Sequence, residues 1–120
     1  MSAEQNKTIV KRYIQAFSEH KPEWIDDLLH EDYSIRGSSE SPWETVLQGK
    51  EAVRQAIDQT FKDDPTWHIV IDDIIAEGDK VAVRETWVSH GQPTDSVMVF
   101  YRLVDGKIID DFFCATPLKK

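Results

Sequence analysis

Apolar side chains at Ile9, Val10, Tyr13, Ile14 and Phe17 recur at the spacing of one helical face, and Ser2 followed by Gln5 supplies a capping box in front of them. Lys21-Pro22 ends this helix, because proline cannot continue a helix interior and turns its predecessor away from helical torsions. A shorter helix is predicted to start at Pro22, where a missing N–H is harmless, and to carry Trp24, Ile25, Leu28 and Leu29 inward. Tyr33 to Arg36 reads as a short strand. Gly37 to Gly49 is rich in Ser, Glu and Pro and reads as a surface loop with one apolar anchor, Trp43. A third helix follows from about Lys50 to Lys62, with Ala52, Val53, Ala56, Ile57 and Phe61 on one side.

After Asp63-Asp64-Pro65 the period becomes strand-like and β-branched residues take over. Strands are predicted for Trp67 to Ala76, Lys80 to His90, Asp95 to Val104 and Lys107 to Ala115. The segments between them, Glu77-Gly78-Asp79, Gly91-Gln92-Pro93-Thr94 and Asp105-Gly106, are short turn-formers of the kind that join antiparallel neighbours. Helices first and a run of strands second make an α+β domain whose sheet buries one face against the helices. The 120 residues suit one domain, 1–120, without a linker or an internal repeat.

Composition narrows the function. With 40% apolar and 10% aromatic residues the chain is a folding sequence and not a disordered one. Its net charge of −8 repels phosphate backbones and anionic headgroups, so neither nucleic acid nor membrane is an expected partner. No apolar run has the roughly 18 residues that a bilayer span needs. The amino terminus reads as a polar helix start, and the expected location is cytoplasmic. The single Cys114 has no second thiol for a disulfide or a metal knuckle. His20, His30, His68 and His90 show no ligand spacing, so no metal site is expected. Gly-rich phosphate loops and a Gly-x-Ser-x-Gly elbow are missing, which gives no support to a nucleotide cofactor or a serine hydrolase.

Five segments in order carry a resemblance: Val10-Lys11-Arg12-Tyr13-Ile14-Gln15-Ala16-Phe17, Leu29-His30-Glu31-Asp32-Tyr33, Gly49-Lys50-Glu51-Ala52-Val53, Gly78-Asp79-Lys80-Val81-Ala82-Val83, and Phe100-Tyr101-Arg102-Leu103-Val104-Asp105-Gly106-Lys107-Ile108. Together they make the whole chain resemble the SnoaL-like group of the nuclear-transport-factor-two-like superfamily. The resemblance implies a cone: a strongly bent antiparallel sheet wrapped around three amino-terminal helices, with an internal cavity and no cofactor. It also implies a homodimer through the outer face of the sheet, where Trp87 becomes a candidate contact. The same cone hosts isomerases, dehydratases, cyclases, an epoxide hydrolase and proteins that only bind, so activity has to be argued from the site.

Strand residues alternate faces, and a slip of one exchanges every inward side chain for its neighbour. Register against the family's steroid isomerases implies that Ala82, Arg84, Thr86, Val88 and His90 face the cavity. The same comparison turns Val97, Val99, Tyr101 and Leu103 inward, then Asp111, Phe113 and Ala115, while the first helix adds Tyr13 and Phe17. Tyr13 matches the oxyanion-stabilising tyrosine of those isomerases, or it is a core tyrosine. The other isomerase positions hold Gly37 and Val99, so that mechanism lacks its carboxylates. Asp111 lies in the strand where SnoaL-type cyclases carry an acid/base aspartate. Desolvated it shuttles a proton; paired with Arg84 it stays ionised. No Arg-x-Asp supports the epoxide hydrolase arrangement. His90 is a base at the cavity mouth or an exposed turn residue. Trp43 is a lid or an anchor.

Two functions follow from these residues. In the first, Asp111, Tyr13, Arg84 and His90 are catalytic in a cofactor-independent isomerase, cyclase or dehydratase that moves a proton on an apolar carbonyl compound held by Phe17, Trp43, Thr86, Val88, Val99, Tyr101 and Phe113. In the second, the protein is a non-catalytic ligand-binding or dimeric interaction domain. The placement of Asp111 separates them.

Overall fold

A computed structural model describes residues 2–36 and 45–118. The first helix, α1 (Ala3–Ser18), begins where the capping box is expected: Gln5 N–H donates to Ser2 Oγ at 3.1 Å and Ser2 N–H to Gln5 Oε1 at 2.8 Å. Its buried face is Val10, Tyr13, Ile14 and Ala16. Pro22 starts a 3₁₀ turn, Pro22–Trp24, that runs into the single-turn helix α2 (Ile25–Leu28). Ile25 and Leu29 are fully buried, whereas Trp24 stays partly exposed beneath the Arg12 guanidinium at 4.7 Å. Helix α3 (Lys50–Asp63) buries Val53 and Ile57. Phe61 lies outside that stripe, 44% exposed and stacked on the His20 ring at 4.3 Å.

The strands are β1 (Leu29–Arg36), β2 (Thr45–Gln48), β3 (His68–Glu77), β4 (Lys80–Ser89), β5 (Gln92–Val104) and β6 (Lys107–Pro117). They form one six-stranded sheet in the order β2-β1-β6-β5-β4-β3, which is not closed into a barrel. From β3 to β6 the meander is antiparallel, as the turn signals predict. At both Asp105-Gly106 and His90-Gly91 the two turn residues have positive φ, the conformation a tight hairpin requires. The sheet differs from the expected one at β1, which pairs with β6 in parallel and with β2 antiparallel. That makes the sheet mixed. Strand β2, read from the sequence as part of a loop, is four residues long and offers too little alternation to be seen locally.

The cone's concave side is decided by register. On β5 the buried residues are Val97, Val99, Tyr101 and Leu103, as expected. Opposite them on β4 are Val81, Val83 and Glu85, since Val83 pairs with Val99 and Glu85 with Val97. The expected register of β4 is therefore corrected by one residue. On β6 a bulge opposite Arg102 and Leu103 leaves Ile109 unpaired, so that Ile108 and Asp111 are both turned inward although they are an odd number of positions apart. Helix α1 lies across β3 and β4 and closes the core. Among the described residues no helix is long and apolar enough to cross a membrane.

Two substitutions test this architecture. Ile108 is fully buried, so Ile108→Ala is expected to destabilise the fold by about 2–5 kcal/mol in chemical denaturation. Loss of the capping hydroxyl in Ser2→Ala is expected to cost about 1 kcal/mol.

Candidate functional site

Between the helices and the concave side of the sheet lies a cavity of about 370 Å³. Its walls are mainly aromatic and aliphatic: Phe17, Trp67, Trp87 and Phe113 line it together with Ile14 and Ile69. Trp87 meets Trp67 edge-on at 5.6 Å and leans on Phe113 at 6.1 Å. The polar groups in the wall are few: the phenols of Tyr13 and Tyr101, the Thr60 hydroxyl, and the carboxyls of Glu85 and Asp111. None of the described lining residues is Lys, Arg or His.

Asp111 is 3% exposed and is reached by a hydrogen-bond chain that crosses three elements. Tyr33 on β1 donates its phenol O–H to Asp111 Oδ2 at 2.5 Å, and the Tyr13 hydroxyl on α1 lies 2.7 Å from the Tyr33 oxygen. Tyr33 has one proton and gives it to Asp111, so Tyr13 donates to Tyr33 while Asp111 is ionised. Burial pushes the Asp111 carboxyl up to about 7, and the charge of Glu85 adds to that rise while the Tyr33 hydrogen bond opposes it. Burial also raises Tyr13, Tyr33 and Tyr101 well above the usual phenol value, which keeps them neutral hydrogen-bonding groups.

Glu85 is the second buried acid, 2% exposed. Trp87 Nε1–H donates to its Oε1 at 3.2 Å, and its Oε2 is buried with no hydrogen-bond partner among the described residues. Burial pushes its carboxyl up to about 7, against the pull of the Trp87 indole and the nearby Tyr101 phenol. An unpartnered buried oxygen of this kind costs about 1–3 kcal/mol.

The structure brings part of the sequence-derived site together. Tyr13, Phe17, Val99, Tyr101, Asp111 and Phe113 all line the cavity. Four residues of the site expected from the sequence stand elsewhere. Arg84 points from the outer face and is paired with Asp73 at 2.6 Å, so it does not meet Asp111. Thr86 donates to Asp72 at 2.7 Å on that same outer side. Val88 follows the bulge near the end of β4 and is not among the lining residues. His90 is a turn residue with φ of 50° and an exposed side chain, 3.7 Å from Asp64. The common cause is the one-residue register of β4, which also brings Trp87 into the cavity and removes it as an outer-face contact. Trp43 lies outside the described residues. Asp110, next to Asp111, is held by Arg102 at 2.6 Å.

Among the site residues missed from the sequence, two bear on its chemistry, Tyr33 and Glu85. For Glu85 a signal existed: β-branched Val81 and Val83 alternate with Ala82 and Arg84, and continuing that alternation turns Glu85 and Trp87 inward. For Tyr33 no local signal existed, since its partners are 20 and 78 positions away along the chain.

Comparison with solved structures places this arrangement in a known fold. A candidate ketosteroid isomerase from Kribbella flavida superposes with a TM-score of 0.78 at 18% identity, covering 98% of this chain and 82% of that one. A candidate polyketide cyclase from Acidithiobacillus ferrooxidans gives 0.77 at 18% identity over 96% and 91% of the two chains. Wild-type IdmH, a candidate polyketide cyclase from Streptomyces antibioticus, gives 0.73 at 19% identity over 92% and 91%. At such identities the likeness is one of fold. No curated protein matches the chain in sequence. The SnoaL-like domain family does match it, over residues 10–110, and that span covers all three helices but for the first turns of α1, the strands β1 to β5 and the start of β6. The chain belongs to the SnoaL-like domain family.

Proposed function

We propose that the cavity binds an apolar small molecule bearing a carbonyl group and that Asp111 moves a proton on it, using the chain's own side chains. The observation that carries this reading is the Asp111 carboxyl, buried in an apolar wall with the Tyr33 phenol 2.5 Å from it. A carboxyl raised to about 7 is present in both protonation states near neutral pH, the condition for efficient general acid/base transfer. The ionised form takes a proton from the carbon next to the carbonyl; the C–H electron pair moves into the enolate and the charge onto its oxygen. Once Asp111 is neutral it can donate to Tyr33, Tyr33 to Tyr13, and the Tyr13 O–H is then free to hydrogen-bond the enolate oxygen. Return of the proton from Asp111 to the same or another carbon completes an isomerisation or a ring closure. Arg84 and His90 have no part in this reading, because they face away from the cavity.

The outer face of the sheet supports a second proposal, a homodimer. Met98 and Phe100 on β5 and Ile75 on β3 are 55%, 43% and 69% exposed there, an apolar patch of the kind that marks an interface. The unpaired, exposed Cys114 is in keeping with a reducing cytoplasmic location.

Exchange of hydrogen for deuterium next to the carbonyl of an apolar ketone such as 1-tetralone, followed by proton NMR in D₂O, tests the chemistry without a known substrate. The protein should accelerate exchange, Asp111→Asn should lose about 100-fold or more of that acceleration, and Tyr13→Phe a smaller part. No acceleration by the wild-type protein across a panel of such ketones would sink the proton-transfer reading.

Stability should report the same buried acids. Both carboxyls are raised from ordinary values near 4 to about 7, so each adds stability that is complete below pH 4 and lost as pH rises to 7. Thermal unfolding should therefore occur at a lower temperature at pH 8 than at pH 5.5, and Asp111→Asn combined with Glu85→Gln should flatten that difference. Light scattering at micromolar concentration should give twice the 13.9 kDa chain mass, falling to the chain mass in Phe100→Asp.

A further inference from the structure

Proton transfer through Asp111 gives no task to Glu85, although Glu85 is equally buried and lines the same cavity. Its Oε1 is held by the Trp87 indole, and its Oε2 has no partner among the described residues. A carboxylate oxygen in an apolar wall is stabilised by a hydrogen-bond donor; the Trp87 indole is spent on Oε1, and the nearby Tyr101 phenol, although it pulls on the carboxyl, makes no hydrogen bond to Oε2. Among the described lining residues none is basic, so an anionic ligand would meet two acids there and no described counter-charge. Along β5, Glu85 stands opposite Val97 and Asp111 opposite Tyr101, four positions apart, or roughly 13 Å of strand. The two acids thus enter the cavity from different levels.

We propose that Glu85 Oε2 is the anchor for a hydrogen-bond donor on the ligand, so that the cavity takes a neutral, apolar ring compound with an N–H or O–H group at the end remote from Asp111, and rejects carboxylates and phosphates. This rests on the reading of the cavity as a ligand site and names the class of ligand. Glu85 is here a recognition residue, whatever chemistry Asp111 performs. The cavity volume of about 370 Å³ suits a small bicyclic compound.

Indole, indene and benzofuran share one ring outline and differ in offering a donor, neither group, or an acceptor. Their affinities are measured by calorimetry at pH 8.5, above the range in which either carboxyl titrates, for wild type, Glu85→Leu and Asp111→Asn. Wild type should bind indole about tenfold more tightly than indene, the size of a hydrogen bond to a charged acceptor, with benzofuran no better than indene. In Glu85→Leu the preference should fall to within about twofold, and in Asp111→Asn it should survive. The leucine variant should also unfold at or above the wild-type temperature, because it relieves a buried, half-satisfied acid. Equal binding of indole and indene by wild type overturns the inference, whether or not Glu85→Leu folds, and leaves the cavity as an apolar ligand site. A preference that survives Glu85→Leu, or that Asp111→Asn abolishes, overturns it as well. If wild type binds none of the compounds, both this inference and the ligand-site reading fall.

Discussion

The hydrogen bond from Tyr33 to Asp111 joins the two strands that run parallel in an otherwise antiparallel sheet, across 78 positions of chain. It also fixes the direction of the next bond, from Tyr13, and so ties α1 to the centre of the sheet. A carboxyl in this place is held against its own desolvation: burial pushes it toward the neutral form and the phenol pulls it back. The balance leaves a group that changes charge near neutral pH inside a cavity whose other walls are mostly hydrocarbon. The proton-transfer reading depends on that balance.

Asp111 reaches the cavity only because β6 carries a bulge. Ile108 fills the core near the hairpin, and strict alternation from it would turn Asp110 inward and Asp111 out. The unpaired Ile109 shifts the phase, so Asp110 meets Arg102 and Asp111 meets the tyrosines. One inserted residue thus assigns two adjacent aspartates to an ion pair and to a candidate proton carrier. Glu85 owes its position to ordinary alternation on β4, with Val81 and Val83 before it and Trp87 after it. Its half-satisfied carboxyl is tolerated at a cost in stability, which is the usual mark of a group kept for binding or chemistry.

Much of the fold was legible in the chain. The capping box at Ser2 and Gln5, the stop at Pro22, the helix after Gly49 and the hairpin at Asp105-Gly106 all depend on neighbours within a few positions, and each stands where the pattern put it. On β5 the apolar run from Val97 to Tyr101 has no phase of its own, and the resemblance to the family's steroid isomerases pointed Val97, Val99, Tyr101 and Leu103 inward, where they stand. Tyr13 and Phe17 reach the cavity from α1 because helix phase is a local property.

Tertiary structure decided the rest, for a physical reason. Strand β4 places the charged Glu85 in phase with Val81, Val83 and Trp87, and Ala82 and Val88 in phase with Arg84, so its own pattern is divided and pairing with Val99 and Val97 is what commits it. That commitment sends Arg84 to Asp73 on the outside and brings in Glu85. The parallel contact of β1 with β6 and the Tyr13–Tyr33–Asp111 chain are made by residues far apart in sequence, and no local preference encodes them. The sequence by itself determined the elements other than β2, their order and the family. Which acids stand in the cavity, and what holds them there, was decided by strand pairing, because hydrogen-bond register is a property of two chain segments and not of one.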